Sequence, residues 1–288
     1  MWVVINAGNT NAALAAVEPG RAGELGPTGR IATQPLPLPD ELRHLIDGLA
    51  EDGPDGLLLA SVVPAFSQLV RELAADRSIG LQEISAGSIP IPVRVDAPDE
   101  VGADRLVNAF AAGRLYGTPA VVVDLGTATT LDAVARGGAY VGGAIAQGAE
   151  LGLAALAERT ALLPRITLRA PHQAIGRSTV EAMRSGTVFG QVGMVRELLG
   201  RVREELLRSE SQSGRDTRAG AEAGPVHSIL TGGHSRAEWA ALIPGIDVID
   251  PDLTLKGLAL LAPASARPPP GGPVGAGRRV MARADPAR

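Results

Sequence analysis

The chain has 288 residues, 45% of them apolar and 20% charged, with a net charge of -4 at neutral pH; this is the balance of a globular protein with one large domain or two of ordinary size, and the acidic surplus argues against an electrostatic nucleic-acid binder. It has no cysteine, which excludes disulfides, zinc-thiolate sites and a cysteine nucleophile. Its only lysine, Lys256, precedes Gly257, so there is no Gly-Lys-Ser/Thr phosphate loop; no basic leader and no membrane-length apolar run are present, and the expected setting is the cytoplasm.

In chain order, Trp2 to Val17 reads as a β-hairpin around Gly8-Asn9-Thr10. A third short strand is predicted near Arg30-Ile31-Ala32-Thr33. Pro35, Pro37 and Pro39 then interrupt the chain, and Asp40 is placed to cap a helix reaching Leu49, with Leu42, Leu45, Ile46 and Leu49 on one face. Gly56 to Val63 reads as a buried strand stopped by Pro64, and 65–75 as a helix. Strands near 81–84 and 91–95 follow, then a helix from about 98 to 116 that carries Val101-Gly102-Ala103-Asp104-Arg105 at its start.

The second half opens with Val121-Val122-Val123-Asp124-Leu125-Gly126-Thr127-Ala128-Thr129-Thr130, an apolar run, a glycine turn rich in hydroxyls and a returning apolar run. Hydroxyls and backbone N–H groups at such a turn suit a phosphate. The N-terminal hairpin repeats the pattern, with Asn6 two residues before Gly8 as Asp124 is before Gly126, which suggests two related halves gripping one ligand. A strand at 139–145, a helix ending near Arg159 and a long helix from Ser178-Thr179 to about Leu207 come next. Gly186, Gly190 and Gly193 on the long helix serve either packing within the chain or a dimer contact. A strand at 227–231 ends in Gly232-Gly233, and Leu253 to Leu261 is a closing helix. Residues 209–225 read as a solvated insert, and the Pro/Gly/Ala/Arg stretch from 263 to 288 as a disordered tail. The expected domains are 1–117 and 118–262.

Together these segments resemble the type III pantothenate kinases, members of the acetate and sugar kinase/Hsp70/actin superfamily. The resemblance rests on Ala7-Gly8-Asn9-Thr10-Asn11, Ser61-Val62-Val63-Pro64, Glu100 to Arg105, Asp124-Leu125-Gly126-Thr127-Ala128-Thr129-Thr130, Gly142-Gly143, Thr160 to Pro164, Thr179, Ser185-Gly186, Thr231-Gly232-Gly233 and Asp252-Leu253. It covers roughly residues 1–262 in family order. The chain departs from the family at Asn6, where an aspartate is usual, at Gln147, where a proline is usual, and at Val95, where many members carry a tyrosine.

The resemblance implies an α/β fold of two actin-like, ribonuclease-H-like halves, each a mixed sheet flanked by helices, with the site in the cleft between them. It implies ATP-dependent phosphorylation of the terminal hydroxyl of pantothenate, the first step of coenzyme A biosynthesis, with Mg2+ and with K+ or NH4+ as cofactors, in a homodimer that binds neither nucleic acid nor membrane. Asp104 would be the catalytic base; spacing alone reads it as an ordinary aspartate at a helix N-terminus. Gly102, Ala103, Asp104, Arg105 and Thr179 would hold pantothenate, Arg105 through charge-assisted hydrogen bonds. For Thr179 the plain alternative is a helix N-cap, a place Ser178 could also take. Asn6, Ala7, Gly8, Asn9, Thr10, Asn11, Ala12, Ala13 and Thr127 would hold ATP, and Asp124 the monovalent cation; for Asp124 and Thr127 the alternative is a self-satisfied turn. Asn6 keeps an acceptor oxygen but loses the charge. A second reading is therefore a catalytically impaired homologue with a regulatory or ligand-binding role, and a third is a kinase of the superfamily with another hydroxylated or carboxylated substrate.

Overall fold

The computed structural model describes residues 1–263 apart from 19, 22 and 214–224. The first half runs β1 (Trp2–Ala7), β2 (Asn11–Val17), β3 (Thr28–Ala32), α1 (Pro39–Leu49), β4 (Gly56–Ser61), α2 (Pro64–Asp76), β5 (Gly80–Glu83) and α3 (Ala103–Leu115). The second runs β6 (Ala120–Leu125), β7 (Ala128–Val134), β8 (Tyr140–Gln147), α4 (Ala149–Arg159), α5 (Thr179–Ser213), β9 (His227–Thr231), β10 (Val248–Ile249) and α6 (Leu253–Leu261).

Two five-stranded sheets form, in the orders β3-β2-β1-β4-β5 and β10-β9-β6-β7-β8. Read from β8, the second order is that of the first. The pairing matches as well: an antiparallel meander on one side of the central strand, and parallel neighbours on the other. The chain is thus built of two copies of one α/β unit, the expected fold class.

Alternation along the central strands decides what lies between the copies. Trp2 and Val4 of β1, and Ala120 and Val122 of β6, share one core with α3 and α6. Val3 and Ile5 turn the other way, onto α1 and α2. Val121 and Val123 turn onto α5. The layers are therefore helices, sheet, the α3/α6 pair, sheet, helices. Small residues let the middle layer fit: a side chain at Gly257 of α6 would collide with Val107 and crowd Ala111 of α3. This helix pair, made of one helix from each half of the sequence, forms the floor of the site.

Several local expectations change. Residues 91–95 form no strand, because Pro90 and Pro92 withhold donors; a single bridge remains, in which Arg94 N–H donates to the Tyr140 carbonyl (2.8 Å) and Tyr140 N–H to that of Pro92 (2.9 Å). The helix expected from 98 is interrupted: Pro98–Glu100 make a separate helical turn, Gly102 is extended, and α3 starts at Ala103. Leu38 rather than Asp40 caps α1, with Pro39 in its first turn and the Glu41 carboxylate accepting the Leu38 N–H at 2.8 Å. Helix α5 continues to Ser213, past the expected start of the insert at 209. The rest of that insert, through 224, and the tail from 264 lie outside the described residues.

Candidate active site

Each copy ends its central strand in a turn that crosses to the next strand. In the first, residues 8–10, the Gly8 N–H donates to the Asn11 carbonyl (3.0 Å). Thr33 holds this turn from outside, its N–H on the Thr10 carbonyl (2.9 Å) and its hydroxyl on that of Gly8 (2.8 Å). In the second, residues 126 and 127, the Gly126 N–H donates to Ala128 O (3.0 Å) and the Gly148 N–H holds the Thr127 carbonyl (3.1 Å). The two turns meet: the Thr10 and Thr127 hydroxyls are 2.9 Å apart, on the exposed side. Two hydroxyl-bearing turns thus flank one position, as a polyanion spanning both would require.

Asn6 and Asp124 stand at the same place in the two copies. Each is the half-buried residue in an otherwise buried strand, on the face that Val4 and Val122 give to the shared core. Asp124 is the more elaborately held. Its Oδ2 accepts from the Asn108 amide (3.0 Å), whose own oxygen accepts from the Thr254 hydroxyl (2.7 Å), so a chain of bonds runs from α6 through α3 to β6. Gly232, at φ +92°, leaves room where any side chain would strike Asp124 Oδ1. Burial, reinforced by the negative charge of Asp104, pushes the Asp124 carboxyl up to about 7, against the pull of Asn108. Beside it on β9, in register, the Thr231 hydroxyl is buried without a hydrogen-bond partner among the described residues.

Asp104 lies in the first turn of α3, and its Oδ1 accepts the Arg105 N–H at 2.9 Å. Gly102 makes this possible, since a Cβ there would run into that oxygen. Arg105 reaches the other way. Its Nε (2.8 Å) and Nη2 (2.6 Å) both donate to Oδ1 of Asp132, a carboxylate with no solvent exposure. The Tyr140 hydroxyl donates to the same oxygen (3.0 Å), and the Thr130 hydroxyl to Oδ2 (2.9 Å). The Arg105 guanidinium also lies over the Tyr140 ring, 5.8 Å from its centroid. Burial raises the Asp132 carboxyl above its ordinary range, while Arg105 and the two hydroxyls favour its charged form. Burial likewise raises the Tyr140 hydroxyl, as does the neighbouring Asp132 charge.

The structure thus gathers Asn6, Gly8, Thr10, Thr127, Asp124, Gly102, Asp104 and Arg105 around the α3/α6 floor. Ala7 and Ala12 turn into the opposite core, so only their backbone faces the turn. Thr179 is exposed at the start of α5, where Ser178 is the cap: its hydroxyl accepts the Glu181 N–H at 3.2 Å. Side chains built at Gly186, Gly190 or Gly193 would meet no heavy atom within 4 Å among the described residues, so these glycines are not required by a close contact within the chain. Asn108, Thr254, Asp132 and Tyr140 were absent from the sequence expectations. Asp132 had one signal, a carboxylate inside an apolar alternating run; the others had none short of the fold.

Comparison with known proteins gives the same direction. The family described as type III pantothenate kinase matches residues 2–201. Proteins of that name from Acidiphilium cryptum and Rubrobacter xylanophilus are 40% and 39% identical over 275 and 274 residues, each covering 91% of this chain and 94% and 97% of theirs. One from Parafrankia is 36% identical over 93% of this chain and its own full length. Among solved structures, a conserved protein of the Baf family of transcriptional activators from Campylobacter jejuni covers 90% of this chain and 96% of its own at a TM-score of 0.51. At 15% identity it speaks for the fold alone. None of the comparisons supports a non-catalytic homologue.

Proposed function

The chain belongs to the type III pantothenate kinase family, and on that premise we propose how its cleft carries out the family reaction, ATP-dependent phosphorylation of pantothenate in coenzyme A biosynthesis. What supports the proposal is that Asp104 and Arg105 open α3, the helix whose Asn108 holds Asp124 at the end of β6, beside the turn where the Thr127 and Thr10 hydroxyls lie 2.9 Å apart. Phosphoryl transfer needs little covalent chemistry from the protein; it needs positioning and charge stabilisation.

In this reading the turns at 8–10 and 126–127 hold the ATP phosphates, with the Thr10 and Thr127 hydroxyls parting to donate to them. Arg105 receives the pantothenate carboxylate. Asp104 orients the terminal hydroxyl and takes its proton as the bond to phosphorus forms. Thr179, exposed at the start of α5, is assigned to the site of a second copy, with the uncovered glycine face of α5 as the contact. A cytoplasmic setting completes the reading; no helix among the described residues is long and apolar enough to cross a membrane.

The residues fit a monovalent cation at Asp124. A carboxyl raised to about 7 gains from a neighbouring positive charge, and the buried Thr231 hydroxyl is an oxygen donor in want of a partner. For magnesium no cluster of three or more acidic or histidine side chains exists among the described residues. That suits an ion held mainly by substrate phosphates and water. When bound it would neutralise phosphate charge, with Asn6 offering one neutral oxygen.

The test is a coupled ADP-release assay with pantothenate, magnesium and potassium. Wild-type protein is expected to turn over, and Asp104→Ala to lose about 10²- to 10⁴-fold in kcat. Wild-type turnover no higher than that of Asp104→Ala would overturn the reading.

A further inference from the structure

We propose that Asp132 is a positioning residue that gives this enzyme its preference for an anionic substrate, by clamping Arg105 along one edge so that the remaining edge of the guanidinium is held ready for a carboxylate. The inference rests on the assignment of Arg105 to pantothenate made above. Three observations carry it.

First, the contact is one-sided. Nε and Nη2 of Arg105 converge on a single oxygen of Asp132, at 2.8 and 2.6 Å. An arginine has five N–H donors in a rigid fork. Two are consumed here, and Nη1 with the outer hydrogen of Nη2 forms a second fork with no hydrogen-bond partner among the described residues. The Arg105 side chain keeps 17% exposure while Asp132 has none, so the charge partner is wholly inside and the arginine is not.

Second, Asp132 is itself immobilised. Tyr140 donates to Oδ1 and Thr130 to Oδ2, at 3.0 and 2.9 Å, and the Tyr140 ring supports the guanidinium. A clamp of this kind removes the rotamer freedom that an arginine otherwise loses on binding.

Third, the α/β unit can be built without a carboxylate at this place. Asp132 pairs with Val122 across β6 and β7. The corresponding pair in the first copy is Val4 with Ala15, and Ala15 is fully buried in the same shared core. One copy of the unit is complete with a methyl group at that place; the other holds a charge there, next to Arg105.

Replacing the charge while keeping the shape tests this. Steady-state kinetics are compared for pantothenate and for pantothenol, its neutral analogue with an alcohol in place of the carboxylate. In Asp132→Asn the ratio of kcat/KM for pantothenate over pantothenol is expected to fall about tenfold, the size of one charge-assisted hydrogen bond, with the loss falling on the pantothenate KM more than on kcat. Tyr140→Phe, which removes one bond to Asp132 and keeps the ring, shifts the ratio the same way by a smaller factor. It decides the matter alone if Asp132→Asn does not fold. A purely structural role would lower both substrates alike and leave the ratio unchanged, and that result overturns the inference. Absent wild-type turnover of pantothenate overturns the reading of the substrate and this inference with it; normal wild-type turnover with an unchanged ratio overturns the inference alone.

Discussion

The two copies of the α/β unit share strand order, strand direction and the place of a polar residue at the end of the central strand, yet they are built to different tolerances. The first keeps Asn6 and Ala15 where the second has Asp124 and Asp132. Around the first turn there is slack: a Cβ on Gly8 would come no closer than 3.5 Å to the Asn11 carbonyl. Around the second the matching glycine, Gly126, has nearly as much room, 3.3 Å to the Ala128 carbonyl, and the tightness lies at its flanks. Gly148 lies against the backbone oxygens of Gly126 and Thr127, and Gly232 against Asp124. Both copies offer a phosphate-compatible turn, but the second also holds the acids Asp124 and Asp132, each with the partners and glycines that make it tolerable.

If that account is right, a carboxylate placed in the first copy without its partners should be ruinous. Ala15→Asp puts an acid at a fully buried position whose neighbours are apolar. It is expected to cost at least ~3 kcal/mol, read as a drop in the urea midpoint. A variant as stable as wild type would show that the shared core accepts charge anywhere, and the contrast between copies would collapse. The turns come next in size. Gly148→Ala should destabilise by roughly 2–4 kcal/mol, since a methyl group there meets backbone that cannot retreat, whereas Gly8→Ala should stay within about 1 kcal/mol. Equal losses from the two would sink the claim of unequal tolerance.

The parts of this contrast that sequence reveals are the local ones. The hairpins at Gly8 and Gly126 show themselves because strand alternation and turn glycines act over a few residues. Helix α6 is found at its actual bounds, Leu253–Leu261, for the same reason. Prolines at 90 and 92 could have warned that 91–95 pairs too poorly to be a strand, since the missing donors are written in the chain. Residues that act only through partners stay hidden. Asp132 is 27 positions from Arg105 and Thr254 is 146 from Asn108, and only the stacking of α3, α6 and the second sheet brings them together. Pairing across such distances is a property of the packed layers, and no periodicity announces it. The position of Asn6 was legible, and so was its missing charge.

That missing charge gives a smaller, opposite test of the comparison. Asn6→Asp makes the two turns alike by restoring an anionic oxygen at the end of β1, where the proposed reading puts magnesium and the phosphates. The expected gain is about tenfold in kcat at saturating magnesium, one charge-assisted contact realised in the transition state. No change would mean that the second copy alone carries the electrostatic part of the site.

The smallest effect concerns Asp124 and its linkage to pH. Its folded carboxyl is raised to about 7, whereas an unfolded aspartate titrates near about 3.9. Between those values the folded protein holds a proton that the unfolded chain releases, so stability falls as pH rises through this window. In potassium-free buffer, the wild-type Tm should therefore drop by a few degrees between pH 5 and pH 8 relative to Asp124→Asn, in which that carboxyl cannot titrate. Potassium should recover the difference at pH 8, where the carboxylate is free to meet it, and much less at pH 5, where the cation must displace a proton. Asn6 has no comparable ionisation, so Asn6→Ala should leave the slope where it was. A slope that persists in Asp124→Asn, or that potassium fails to touch at pH 8, would separate the raised carboxyl from the cation and leave Asp124 as a half-buried acid held by Asn108, which Thr254 holds in turn.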